Sequence, residues 1–320
     1  MNTKRDVVGV ILAGGRGTRM EPFSSQFPKP ILPVCNKPLM EYHLESMANI
    51  GIKEVFIVIG HLGYEISLAI KAHACRQMKI HFIEQSEALG IAHALGQLQG
   101  HVKHPFLLFL GDIFFRTQGL AQMVETFRNR DSGSFLVVKE DSPEAIQKNF
   151  AVILDSDTGL VRRVIEKPRH VKNTLKGCGL YLFDLPIFDA IRRTPRTAMR
   201  NEYEITDAIQ ILIEDGEPVE IAKVVDEDLN MTTPYDLHRC NMTQLQVLGY
   251  DNLIDSGACI HPEATLDRCI IGPGVHIGHP VHLTNCVVLP NTRVDINGGT
   301  LSNYILAPNA AVDCSLKLQG

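Results

Sequence analysis

Residues 11–20 read ILAGGRGTRM, and the kind of glycine loop they form decides the fold. The loop follows the apolar run Val7–Leu12, whose Val/Ile/Leu content suits a strand buried on both faces. Glycines and arginines beside a strand end suggest phosphate recognition, yet both familiar loops fail here. A Walker A loop needs Gly-Lys-Ser/Thr, because the lysine reaches the β/γ-phosphates and the hydroxyl holds magnesium. Here Thr18 and Arg19 follow Gly17, with no lysine. A dinucleotide loop needs three glycines spaced G-x-G-x-x-G. Gly15 and Gly17 supply two, and Met20 stands at the third place.

Working outward, the first ~230 residues alternate short apolar runs with longer amphipathic stretches, the pattern of a parallel sheet covered by helices. The runs Val7–Leu12, Val55–Gly60, Ile80–Glu84, Phe106–Leu110 and Ser134–Lys139 predict strands, and Gly179–Phe183 a further one. Leu39–Asn49, Gly63–Cys75, Glu87–Gln99, Leu120–Arg130 and Tyr203–Glu214 predict helices. Two β-rich runs around DSDTG, residues 155–159, read as a hairpin.

The pattern changes after about residue 250. Ile254, Ile260 and Leu266 lie six apart, and after a five-residue step Ile271, Ile277, Leu283 and Leu289 do so again. Ala258, Ala264, Ile270, Val275, Val281 and Val287 follow four residues after the first six of these. That is the hexapeptide pattern of a left-handed parallel β-helix, in which a coil takes about three hexapeptides. The count predicts three or four coils and places Arg293 in an inward phase beyond Leu289. The expected organisation is a Rossmann-like domain over residues 1–250, with a mixed, mostly parallel sheet, and a β-helix over 251–320.

Composition bounds the function. The chain has 320 residues, 45% of them apolar, and a formal net charge of −5, so no basic field argues for nucleic acid. No segment approaches a membrane-spanning length. MNTKRDVVGVILAGG has one short apolar run and no cleavage pattern, which predicts no secretory leader. Cys35, Cys75, Cys178, Cys240, Cys259, Cys269, Cys286 and Cys314 are scattered without a C-x-x-C pair, as expected of reduced cytoplasmic thiols.

Ligands in open parallel sheets sit outside the carboxyl ends of the strands. Lys29 lies between prolines in FPKPILPV and joins Arg16 and Arg19 as cations near the loop. Asp112 ends FLLFLGD, where a lone carboxylate can hold Mg²⁺ together with substrate phosphates or form a turn or cap. Glu166 and Lys167 end a strand in VIEKP, and in extended backbone they point to opposite faces.

Together, LAGGRGTRMEP…PKPILPV, the Q-x4-G of Gln85–Gly90, LGD, EKP, CGLYLFD and EYEITDAI occur in the order found in sugar-phosphate nucleotidyltransferases. The resemblance spans residues 7 to about 250. It is nearest to long-form glucose-1-phosphate thymidylyltransferases and their uridylyl relatives, which also carry a short β-helix tail. It implies that Leu12, Gly14 and Gly15 cradle the nucleoside, that Arg19 and Lys29 bind its phosphates, and that Arg16 assists at the pyrophosphate. It implies that Gln85 and Gly90 read the base edge, since an amide both donates and accepts, as N3–H and a carbonyl of uracil or thymine require. Asp112 would carry Mg²⁺, with Asn230 at the second metal position. Glu166 and Gly179 would hold sugar hydroxyls, with Ala151 beside them, and Lys167 the sugar phosphate.

The implied substrates are a nucleoside triphosphate, dTTP or UTP, and a sugar-1-phosphate, with glucose-1-phosphate the family default. The implied state is a homo-oligomer, tetramer or trimer, because a short β-helix otherwise exposes a sheet end. Ala151 replaces a glycine usual in the family, Ile113 an asparagine usual in thymidylyl relatives, and Asn230 the aspartate of their D-x-G-T-P. Three other readings are a nucleotide-sugar-binding regulatory subunit without activity, a mannose-1-phosphate guanylyltransferase, and an acyltransferase using His276, His279 or His282. The acyltransferase reading is disfavoured, since such β-helices in this superfamily are much longer.

Overall fold

The apolar run before the glycine loop becomes the strand Val8–Ala13 at the centre of a nine-stranded sheet. The computed structural model describes residues 5–25, 27–60, 62–73, 78–130, 132–198 and 200–315. The chain forms two compact units, Met1–Arg16 with His43–Asp228, and Gly17–Tyr42 with Leu229–Gly320.

In the first unit, one half of the sheet is parallel. Lys79–Glu84, Glu54–Ile59, Val8–Ala13 and Phe106–Leu110 lie side by side in that order, with Leu12 paired to both Val58 and Leu110. The other half is antiparallel: Leu175–Phe183 pairs with Phe106–Leu110, Phe150–Leu154 and Ser134–Glu140. Val161–Glu166 completes the hairpin with Phe150–Leu154 around the predicted turn, and Val219–Ala222 runs parallel to Ser134–Glu140. Val10, Leu108, Leu136, Val138 and Phe183 are fully buried in the core, each such side chain contributing about 1.5–3 kcal/mol.

Several boundaries differ from expectation for local reasons. The expected helix Glu87–Gln99 is confined to Ile91–Gly96, because Gly90 has φ 107° and holds the preceding residues out of the helix. The strand expected at Gly179–Phe183 begins at Leu175 and contains a bulge between Gly177 and Tyr181. The helix expected over Gly63–Cys75 is described to His73, and Cys75 lies outside the described residues. Ile113–Thr117 is a strand not foreseen, and it pairs with Val225–Asn230.

In the second unit, the tail winds through three small parallel sheets. Ile254, Ile271 and Val288 are register partners 17 residues apart, and the next step, to Leu306, is 18. These stacked sheets are consistent with a β-helix. The inward phase after Leu283 differs from the six-residue count. A second five-residue step leads to Val288, so Ile277 pairs with Val294, which is buried, while Arg293 is exposed. Cys269 and Cys286 fill the extra inward place of the two short steps and are fully buried. The antiparallel strand Ala310–Asp313 covers the outer side of Tyr304–Ala307.

Candidate active site

The glycine loop leaves the carboxyl end of Val8–Ala13 between the ends of its two parallel neighbours. Gly111 N–H donates to the Leu12 carbonyl at 2.9 Å, and a Cβ on Gly111 would lie 2.6 Å from that same oxygen. A Cβ on Gly14 would stand 2.7 Å from Gln85 Oε1, so the missing side chain leaves the place the amide occupies. A side chain at Gly111 would drive its strand end from that of Leu12, and one at Gly14 would displace the Gln85 amide. Leu12 is half-buried, whereas Gly15 and Arg16 are exposed beyond the strand.

Asp112 follows Gly111 directly and is half-buried in the turn between Phe106–Leu110 and Ile113–Thr117. The turn is held from one side by His43, on the helix Leu39–Asn49, whose Nε2–H donates to the Ile113 carbonyl at 2.8 Å. A carbonyl only accepts, so the proton must sit on Nε2. Burial pushes the His43 pKa down to about 4, although the Ile113 bond opposes this, so the ring is neutral at physiological pH. Phe109 and Phe115, from the two strands flanking the turn, pack against it with ring centroids 5.2 and 5.9 Å away.

Gln85 is buried and lies 3.1 Å from His93 Nδ1 through its amide nitrogen. Gly90 packs its Cα against the backbone of Tyr203. Among the first-unit positions, the structure thus brings Leu12, Gly14, Gln85 and Asp112 to adjacent parallel strand ends.

Glu166 and Lys167 form a second group with Arg200 and Glu204. Lys167 has φ 40°, which ends the extended strand and turns its Nζ to 3.5 Å from Glu166 Oε1. The expectation that the pair faces opposite ways therefore fails at this left-handed residue. Arg200 Nη1 donates to Glu166 at 3.1 Å and to Glu204 at 3.0 Å. Burial, then the nearby Glu204 carboxylate, push the Glu166 carboxyl above its ordinary range, with Lys167 and Arg200 opposing them. Ala151 is buried and pairs with Ile165 and Lys176, and Gly179 lies at the bulge with φ 75°.

A buried ion cluster was not foreseen. Lys176 Nζ lies 3.0 Å from Asp228 Oδ1 and 2.7 Å from Asp141 Oδ2, and Lys139 Nζ lies 2.7 Å from Asp228 Oδ1. Two lysines and two carboxylates balance, as burial of charge demands. A lysine inside the apolar strand Leu175–Phe183 was the one available signal.

In the second unit, Arg19 is exposed on the short 3₁₀ helix Thr18–Met20. Lys29 is buried at the start of a second one, Lys29–Ile31, and its stem crosses Gly17, with Cγ and Cε each 3.0 Å from where a Cβ would sit. Asn230 is half-buried at the end of Val225–Asn230. The Asp112 carboxylate offers hard oxygens of the kind that suit a Mg²⁺ also leaning on phosphates and water. No cluster of three His, Cys, Asp or Glu side chains able to cage a metal occurs among the described residues. His282 is engaged by the Thr265 and Thr284 hydroxyls on the tail.

Glycine-closed strand ends with an aspartate beside them lie at the carboxyl edge of a mixed α/β sheet, where ligands of open parallel sheets sit. Residues 8–229 match the nucleotidyl transferase family, and the chain belongs to that family. It is a nucleotidyltransferase. It is 33% identical over 262 residues to the low-salt glycan biosynthesis nucleotidyltransferase Agl11 of Haloferax volcanii, across 81% of this chain and 71% of that one. It is 32% identical over 318 residues to a glucose-1-phosphate thymidylyltransferase of Streptomyces antibioticus, across 97% of this chain and 84% of that one. A crystal structure of UDP-glucose pyrophosphorylase with UDP-glucose shares the fold, with TM-score 0.68 over 76% of this chain and 99% of that chain, at 20% identity. No helix among the described residues is long and apolar enough to cross a membrane.

Proposed function

We propose that this nucleotidyltransferase joins dTTP or UTP to a sugar-1-phosphate, with glucose-1-phosphate the first sugar in line, releasing pyrophosphate. The observation that carries the reading is the Gly111–Leu12 hydrogen bond, which ties the Asp112 turn to the strand that delivers the nucleotide loop. An anionic oxygen of the sugar phosphate attacks the α-phosphorus in line. One P–O bond forms as the α–β phosphoanhydride bond breaks. That oxygen needs no general base, so catalysis reduces to positioning and to neutralising two polyanions. Gln85 holds the base, Leu12, Gly14, Gly15 and Gly90 shape its seat, and Arg16, Arg19 and Lys29 neutralise the departing pyrophosphate. Lys167 holds the sugar phosphate, while Glu166 accepts from sugar hydroxyls beside Gly179 and Ala151. A Mg²⁺ held by Asp112 and Asn230 would supply Lewis-acid neutralisation of phosphate charge.

The decisive experiment is a matrix of dTTP, UTP, CTP, GTP and ATP against a panel of sugar-1-phosphates, read as pyrophosphate. Turnover should peak with UTP or dTTP. No release from any pair would leave a regulatory, nucleotide-sugar-binding subunit, and a GTP/mannose-1-phosphate optimum would reassign the base.

The Glu166 environment predicts a further result. Between the ordinary value of 4.5 and its raised folded value, the native state holds more protons than the unfolded chain, so stability falls as pH rises through that window. At pH 7 the charged carboxylate is then a net cost to folding. Glu166→Gln should therefore raise Tm at pH 7, with the gain shrinking as pH approaches 4, while pyrophosphate release declines. Calorimetry showing an equal or lower Tm at pH 7 would contradict this.

We further propose residues 1–250 as the catalytic domain and 251–320 as a left-handed β-helix through which a cytoplasmic homo-oligomer, trimer or tetramer, assembles. Val247, Leu248, Tyr250 and Ile254, each about half exposed around the start of the tail, support an interface there. A monomer by light scattering would sink this assembly.

A further inference from the structure

A carboxamide is an ambivalent reader. Turned by 180° about its last bond, it exchanges acceptor for donor. Uracil and thymine present a ring N–H beside a carbonyl, and cytosine presents a bare ring nitrogen beside an amino group. A free glutamine therefore fits either edge equally well, so base selection by Gln85 requires something that stops the flip.

Gln85 is not free. Only 7% of it is exposed, and its amide nitrogen is engaged. Nε2 donates to His93 Nδ1 at 3.1 Å, while Oε1 occupies the space over Gly14 that a Cβ would invade. A neutral imidazole carries one donor and one acceptor nitrogen, so with Nδ1 accepting, the ring proton lies on Nε2. The Gln97 side-chain amide lies 3.4 Å from His93 Nε2 and 3.3 Å from the His93 carbonyl, within hydrogen-bond reach of both.

The ring is itself anchored. It stacks on Tyr203 with centroids 6.1 Å apart and planes 24° apart. Its helix, Ile91–Gly96, is tied to the same residue by Ala92 N–H to the Tyr203 carbonyl at 3.1 Å. Gly90, just before that helix, meets the Tyr203 backbone where a Cβ would stand only 2.5 Å from its oxygen. The chain of constraint runs from Tyr203 through His93 to the Gln85 amide, all within the first unit.

We propose that His93 is a positioning residue that locks the Gln85 carboxamide in one orientation and thereby sets the discrimination between uracil- or thymine-bearing and cytosine-bearing triphosphates. This rests on Gln85 facing the base. Without the ring nitrogen the amide turns freely, and the mismatched base regains its two hydrogen bonds. A site that forces unpaired polar groups on the wrong ligand rejects it strongly, and freedom to flip removes that rejection.

The test uses the full-length enzyme with His93→Leu, which removes both nitrogens, and His93→Phe, which also keeps the stack on Tyr203. kcat/KM for UTP, dTTP and CTP is measured with one sugar-1-phosphate, and the binding of each triphosphate by calorimetry. Both variants should lower the UTP-to-CTP ratio by tenfold or more, in catalysis and in binding. A general loss of stability would scale all triphosphates alike and leave the ratio unchanged. Ratios within twofold of wild type in either folded variant, with Gln85→Leu collapsing the ratio, would overturn the role of His93 and keep that of Gln85. An unchanged ratio in Gln85→Leu would instead remove Gln85 as the reader, and the proposal with it. A wild-type enzyme that used CTP as well as UTP would also overturn it.

Discussion

Asp112→Asn is expected to lower kcat for pyrophosphate release by roughly 10³-fold, since a metal ion contributes several kcal/mol of charge stabilisation in such sites. The size of the effect follows from this chain's own donor set. Mg²⁺ is usually bound through one or two carboxylates plus phosphate oxygens. With Asn230 neutral, Asp112 is the one charged donor of the proposed pair. Asparagine has nearly the same shape, so the substitution leaves two carboxamides and no compensating charge. Two bonds at the turn, Gly111 to Leu12 and His43 to Ile113, end on backbone carbonyls that the substitution does not touch, and Tm reads any change in the contacts of the carboxylate itself. Pyrophosphate release across a Mg²⁺ titration, with Tm measured alongside, checks both halves. Turnover within threefold of wild type at every Mg²⁺ concentration, with Tm unchanged, would remove Asp112 from the reaction. Asn230→Asp is the converse arm and should lower the Mg²⁺ concentration needed for half-maximal rate.

Which parts of this were legible beforehand follows from the range of the forces involved. The parallel strands were, since Val8–Ala13, Glu54–Ile59 and Phe106–Leu110 are nearly unbroken apolar runs that only a two-sided core accommodates. The tail was legible through its repeat. Its phase was lost after Leu283, because the repeat follows two six-residue steps with one of five and an aliphatic residue stands at both Val288 and Leu289. The helix before Gln97 was overextended, because periodicity does not register that Gly90 adopts a positive φ against Tyr203. The strand Ile113–Thr117 was missed because Gly111 and Asp112 read as an ending when they are a turn between two strands. Side-chain partnerships were the least legible part. Arg200 meets Glu166 across 34 residues, and Lys176 meets Asp228 across 52. No local propensity encodes such pairs. His93 sits in an apolar helical segment where a packed histidine is the ordinary expectation, and its proximity to Gln85 emerges only once strand and helix are placed.

Lys29→Met should lower kcat by about 10²-fold or more, the scale on which removing one charge-stabilising donor acts. Lys29 is an unusual surface cation in being buried: its exposure is 8%, and Pro28 and Pro30 flank it at the start of a short 3₁₀ helix. Its aliphatic stem packs over Gly17, which holds φ 65°. Methionine reproduces the length and packing of that stem and removes only the ammonium group. Any loss of rate with an intact Tm is then a loss of charge. Gly17→Ala separates the two contributions from the other side. It keeps the charge but puts a Cβ 3.0 Å from the lysine stem in a left-handed backbone, at a cost of about 1–3 kcal/mol. Its Tm should fall, and its rate loss should be smaller than that of Lys29→Met. The comparison is made by calorimetry and by initial rates with each substrate varied in turn at saturating levels of the other. If Lys29 acts on the triphosphate phosphates, the methionine variant loses kcat/KM for the nucleotide and leaves the KM for sugar-1-phosphate near wild type. A KM for sugar-1-phosphate raised as much as the KM for the nucleotide, or a rate within threefold of wild type, would leave the buried lysine a structural strut for the glycine loop and assign the phosphate charge to Arg16 and Arg19 alone.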